Sequence, residues 1–407
     1  MNSIDVNFIR SQFPAFSSEK LKDKAFFDNA GGSYCNKYVI NRLNRFYTER
    51  KMQPYAPYTS SQLGGEEMDE AYLKFAEILN VKKDNIHFGP STSQNTYVLS
   101  NALREMNSKR KKIIVTNQDH EANSGVWRKL SNYGYNVVEW TVDSEKGLLK
   151  IEDLNNLIDE ETLIVAFPHC SNILGYINPV KKICDLIRSF GSLSCVDGVS
   201  FVPHGFPDLK EFDPDIYLFS TYKTYGPHLG VMCLSDKIIN TFPNQGHFFN
   251  EKKKQKLFYP AGPDHAQIAS LVGISDYINA IYNHHFDKKI KSNEMVRLVN
   301  NLKRNHEKKL LKKLLTYLNS REIDVLGTSD LNNRVPTISI NLKKSAKLVA
   351  KKMFLDDILT DGGDFYAVRL LKFLGVNLSN GVLRLSFVHY NSIDEIEKLI
   401  YSLKKHL

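Results

Sequence analysis

Between residues 112 and 219, short β-branched runs alternate with amphipathic stretches, and few folds accept that order. Lys112–Thr116 (KIIVT), Tyr135–Trp140, Thr162–Phe167 (TLIVAF), Ser192–Val196 and Asp215–Phe219 (DIYLF) read as strands. Pro179–Phe190 carries Val180, Ile183, Cys184 and Ile187 on one helical face. Strand–helix–strand alternation of this length predicts βαβ units and a mostly parallel sheet covered by helices. From Ala266 to Leu318 helical periodicity dominates. A shorter α+β pattern follows, with strands at Thr337–Leu342 and Val382–Phe387 and helices at Ala346–Phe354 and Ile393–Leu403. A chain of 407 residues exceeds what one core organises. The expected division is an N-terminal segment (1–20) packing with the small domain, a large α/β domain (21–285) and a small C-terminal α+β domain (286–407).

The composition excludes several classes. Hydrophobic residues at 42% and charged ones at 24% suit a globular protein and not a disordered one. Nothing near 18 consecutive apolar residues occurs, so no membrane span is expected. The opening MNSIDVNFIRSQFPAF lacks the apolar stretch of a secretory signal. Five cysteines (Cys35, Cys170, Cys184, Cys195, Cys233) all precede residue 234 and show neither CxxC nor metal-ligand spacing. They suit free thiols in a reducing cytoplasm, with Cys184 and Cys195 in the core and no metal site. The net charge of +9 comes with Lys-rich stretches at 252–256, 303–313 and 343–352. The last two read as solvated faces of helices, with Leu310, Leu311, Leu314 and Leu315 opposite. No nucleic-acid motif accompanies them, so a nucleic-acid partner is not expected.

Ligands of open α/β sheets bind beyond the C-terminal ends of the strands. Those positions are polar here: Asp119 and His120, His169–Asn172, Asp197, and Ser220–Lys223. Each alone is ordinary, since an Asp at a strand end is a common cap and a loop lysine usually faces water. Together they meet the needs of pyridoxal phosphate. That cofactor needs a lysine for an imine, an acid for its ring nitrogen, donors around its phosphate and a ring on its face.

The motifs FFDNAGG (26–32), FGPSTSQNT (88–96), DHEAN (119–123), PHCSNILGYINPV (168–180), VDGVSFVPHG (196–205), FSTYKTYGPHLGVM (219–232) and RLSFVHYN (384–391) run in order along the chain. In them the chain resembles the fold-type I pyridoxal-phosphate enzymes of the class V aminotransferase and cysteine desulfurase group. The resemblance implies a large domain with a mostly parallel seven-stranded sheet, a smaller C-terminal α+β domain and pyridoxal 5′-phosphate as cofactor. It implies that Lys223 carries the cofactor as an imine and moves protons at the substrate α-carbon. Asp197 pairs with the ring nitrogen, His120 stacks on the ring and Asn172 reaches its phenolic oxygen. Thr92, Ser93, Gln94 and Ser220 hold the phosphate. Ser200 and His204 lie near the cofactor. Arg384 grips the substrate carboxylate, with Asn29 beside the substrate. Lys223, His120 and Asp197 are the catalytic set, and a homodimer is implied.

The chain also departs from the family pattern. Cysteine desulfurases of this group attack sulfur with a cysteine on a C-terminal loop, and the matching TDGGDFYAVRLLKF (360–373) has none. Cys170 is the only other thiol expected near the site. Ser200 stands where desulfurases commonly carry glutamine. Gly262 in PAGPDHA (260–266) stands where a threonine reaches the neighbouring subunit's phosphate. The expectation is therefore an aminotransferase- or lyase-type enzyme acting on a small amino acid or amine. One alternative is cysteine desulfurase or selenocysteine lyase chemistry without the loop thiol. Another is a non-catalytic cofactor-binding or regulatory protein.

Overall fold

The computed structural model describes residues 3–288 and 290–407. After a two-residue strand β1 (Ala25–Phe26) comes a large sheet of β2 (Ile86–Gly89), β3 (Lys112–Thr116), β4 (Asn136–Trp140), β5 (Thr162–Pro168), β6 (Leu193–Asp197), β7 (Ile216–Ser220) and β8 (Gly230–Leu234). Their order is β2-β8-β7-β6-β5-β3-β4. The runs read as strands from the sequence are β3 to β7, with ends within one residue. Pairing is parallel from β4 through β3, β5 and β6 to β7. Only β8 is reversed, antiparallel to both β7 and β2. The reason is chain length: a parallel return needs a crossover of about a dozen residues or more. Only Thr221–Leu229 separate β7 from β8.

Every residue of β5, β6 and β7 is buried, which explains their unbroken apolar runs. Alternate side chains enter two cores. Ile114, Val165 and Phe167 pack with Phe75 and Ile274 on one face. Ile113, Val115, Ile164 and Ala166 pack with Leu99, Leu103 and Trp127 on the other.

The helical stretch after residue 265 is three helices, His265–Ser270, Val272–His285 and Ser292–Ser320. On the last, the leucine stripe is buried as expected, but the solvated reading fails at two residues. Lys303 and Glu307 are buried. Lys303 Nζ donates to the Pro203 carbonyl at 3.0 Å, so the helix turns a charged i,i+4 pair inward against the large sheet's loops.

A second sheet orders β11 (Asp361–Gly363), β12 (Val382–Ser386) and β9 (Thr337–Asn341), all antiparallel. β10 (Ile358–Leu359) instead pairs with β1 in parallel. This unit has its own core of Leu310, Leu314, Ile338, Leu383, Leu385 and Leu399. The N-terminal segment contacts both parts of the molecule. Arg10 reaches Glu395 of the C-terminal helix at 2.9 Å, while Phe8 stacks on His284 at 3.7 Å.

Candidate active site

Four parallel strands and the helix after β2 bring their ends to one cavity of about 270 Å³. Ser91 caps the helix Thr92–Glu105, its Oγ accepting from the Gln94 backbone N–H at 3.1 Å. Thr92 and Ser93 open that helix at the cavity wall. A helix start presents free N–H groups and favours an anion. The Thr92 and Ser220 hydroxyls lie 2.8 Å apart, joining this start to the end of β7. His120, Asn172, Asp197, Ser200 and Lys223 complete the set that the structure gathers at the cavity.

Local chemistry fixes each of these. Asp197 ends β6 and accepts from the Val199 N–H at 2.8 Å. Burial pushes its carboxyl up to about 6, against that hydrogen bond and the nearby Lys223. Lys223 closes a 3₁₀ turn directly after β7. Burial pulls its ammonium down to about 8; Arg384 adds to the pull, while Asp197 and Asp28 oppose it. His120 caps the helix Glu121–Arg128, its Nδ1 accepting from the Ala122 N–H at 3.0 Å. Burial, then Lys223 and Arg384, holds its pKa down at about 3, so the ring is neutral. Asp119 beneath it is clamped by Thr116 at 2.6 Å and Asn123 at 2.9 Å. Asn172 Nδ2 donates to the Phe365 carbonyl at 2.9 Å, and its buried Oδ1 has no partner.

Four expected site residues lie off the cavity wall. Gln94 is exposed, and its backbone N–H is used by Ser91. Asn29 has a fully engaged amide: Nδ2 donates to Ser386 O at 3.2 Å and Oδ1 accepts from Tyr390. His204 Nδ1 is paired with Glu307 Oε2 at 2.9 Å, and the residue lines a small cleft with Ser200 and Lys223. Arg384 is buried beside the cavity, with Nη2 on Asp28 Oδ1 at 3.2 Å. Sequence reasoning missed Ser91, Tyr222 and His228 on the wall. The Tyr222 and His228 rings stack at 4.6 Å. Ser91 had a signal, as the N-cap of an S-T-S-Q helix start. The His228 position depends on the reversal of β8, which no local pattern announces.

The aminotransferase class-V profile matches residues 25–399. The chain belongs to the class-V aminotransferase family. Aminotransferase-like protein FGM3 of Gibberella zeae is 31% identical over 99% of this chain and 98% of its own. Cysteine desulfurase-like protein ustD of Aspergillus flavus is 28% identical, over 97% and 89% respectively. Among solved structures, the apo cysteine desulfurase of Thermococcus onnurineus NA1 superposes with a TM-score of 0.86 at 22% identity. It covers 100% of this chain and 99% of its own, which establishes the fold. Members of this family are pyridoxal-phosphate enzymes that act on amino acids and are generally dimeric.

The residues present fit that cofactor. A Cβ added at Gly230 would lie 2.4 Å from Ser91 C and 2.6 Å from Thr92 N, so β8 approaches the helix start as closely as backbone allows. Asn172 Oδ1 is a buried acceptor waiting for a donor. A carboxylate and a lysine of lowered basicity face the same space. Among the described residues no helix is long and apolar enough to cross a membrane.

Proposed function

We propose that this class-V enzyme acts on a small amino acid or amine, with aminotransferase- or lyase-type chemistry and Lys223 as its covalent and proton-transfer residue. The observation that carries the reading is the placement of Lys223 and Asp197 at one cavity, where the thiol among the described lining residues, Cys170, is buried with its pKa raised. Pyridoxal phosphate supplies an imine-forming aldehyde and a cationic ring that accepts electrons from a substrate α-carbon. Asp197 would hold negative charge toward the ring nitrogen, with the Val199 N–H and then the nearby Lys223 favouring its ionised form. Thr92, Ser93 and Ser220 with the helix start would hold the phosphate dianion. Neutral His120 offers a flat face without competing for charge. Lys223, once its nitrogen is free, takes a proton from the substrate α-carbon and returns one elsewhere. Its lowered basicity suits both directions near neutral pH.

Cys170 lines the cavity, yet burial pushes its thiol far from ionisation and Sγ is directed to the Ser171 carbonyl. That favours Lys223 chemistry over desulfuration through a persulfide. A homodimer is the proposed assembly, and all five cysteines are free, which suits a reducing cytoplasm. The test is exchange of the α-proton of amino acids in deuterium oxide by the cofactor-loaded protein, with product identification. Exchange lost in Lys223→Ala is expected. Exchange that survives in Lys223→Ala, or none for any amino acid or amine, overturns the reading.

A further inference from the structure

Arg384 is sealed in the resting protein. Its side chain is 4% exposed. Besides the Asp28 contact, Nη1 donates to the Asn172 carbonyl at 3.4 Å. The Phe365 ring covers the guanidinium, 3.7 Å from ring centroid to Cζ. Nε is buried without a hydrogen-bond partner among the described residues. The guanidinium is therefore left short of acceptors, a costly state for a buried donor.

The cover is held at a cost. Phe365 and Tyr366 have φ of 50° and 59°, a left-handed pair that bulky side chains disfavour. Two hydrogen bonds keep it there. Asn172 Nδ2 donates to Phe365 O, and the Glu121 backbone N–H donates to Tyr366 O at 2.9 Å. Both come from segments that line the cavity, so the turn is fastened to the site itself.

Asp28 is a weakly held partner. Its side chain is 31% exposed, and burial raises its pKa despite the opposing pull of Arg384. The missing side chain at Gly31 leaves it room to swing, since a Cβ there would lie 2.7 Å from Asp28 Oδ2.

We propose that Asp28 and Phe365 form a displaceable lock on Arg384, in which the Asp28 carboxylate stands in for the substrate carboxylate until one replaces it. This rests on Arg384 as the carboxylate-binding residue, and it narrows the substrate class. A ligand carrying a carboxylate opens the lock, whereas an amine without one leaves Arg384 shut.

The experiment is calorimetric titration of cofactor-loaded protein with propionate and, separately, with propylamine. Asp28→Asn removes the competing charge at constant shape. Phe365→Gly deletes the ring while keeping the left-handed turn, and serves if the first variant does not fold. Either variant should bind propionate roughly fivefold to tenfold tighter, with propylamine unchanged. Unchanged or weaker propionate binding overturns the lock. Arg384→Gln separates the two layers. If it abolishes propionate binding while Asp28→Asn fails to tighten it, only the lock fails. If it leaves propionate binding at the wild-type level, the carboxylate role of Arg384 falls, and the lock with it. A protein that takes up no cofactor contradicts the proposed function, and the same titration of the apo protein still judges the lock.

Discussion

If Lys223 carries the cofactor as proposed, its lowered basicity sets how fast the protein captures it. Imine formation needs the neutral amine. With the pKa moved from 10.5 to about 8, the neutral fraction at pH 7 is roughly one in ten, against roughly one in three thousand for a free lysine. Capture should therefore be some 300-fold faster than for an exposed lysine of equal access, from ionisation alone. Stopped-flow mixing of apo protein with pyridoxal phosphate, read at the visible band, measures it. The rate should climb about tenfold per pH unit and flatten near pH 8. Removing Arg384 removes a cation and should move that break upward; Asp197→Asn removes an anion and should move it downward. The same shift bears on stability. Above pH 8 the folded lysine gives up its proton while the unfolded one keeps it up to about 10.5. The apo protein should therefore gain up to about 3 kcal/mol as pH rises through that window, from this group. A capture rate that keeps climbing past pH 9.5 without a break would refute the argument, because it would mean burial does not depress Lys223.

Three further outcomes follow from contacts in and under the site. Gly230→Ala should force the Ser91–Thr92 cradle outward and weaken cofactor retention on dialysis by tenfold or more, on the order of 1.4 kcal/mol; retention equal to wild type would count against the cradle. Tyr217→Phe removes the hydroxyl that sits 2.7 Å from His169 Nδ1 in a fully buried pair. It should cost about 1–3 kcal/mol in urea denaturation, because the imidazole keeps its unmet polar group. Cys170 should resist iodoacetamide in the native protein at pH 7.5, as followed by mass spectrometry, and Cys170→Ala should keep turnover; rapid alkylation would reopen thiol chemistry.

The parallel strands were legible because burial on both faces leaves β-branched runs such as KIIVT and TLIVAF unbroken. That Lys223, Asp197, Thr92, Ser93 and Ser220 share one cavity was legible because each follows a strand or opens a helix. What escaped the sequence depends on three-dimensional neighbours. GVMCL reads as apolar, but its reversal follows from the length of the loop before it. Lys303 and Glu307 read as surface charge, since nothing local says that a loop carrying Pro203 and His204 lies over them. Asn29 Oδ1 and His204 Nδ1 are bonded to Tyr390 and Glu307, partners distant in sequence that no local motif announces. The loop 360–373 was read for its missing cysteine, while the Phe365 cover on Arg384 requires a turn that no propensity favours.

The reversed strand also decides where this scaffold is free to diversify. Ser220 and Gly230 are cross-strand partners, so the loop bearing Lys223 and His228 is closed at both ends by one ladder. A one-residue slip of that ladder would carry Gly230 off the helix start it touches. New substrate ranges therefore have to be written elsewhere, in the rims anchored outside that hairpin: residues 28–33 and 360–367. A library aimed at altered specificity would hold 220–230 constant and randomise those two rims together, because Asp28 and Phe365 meet at the same guanidinium.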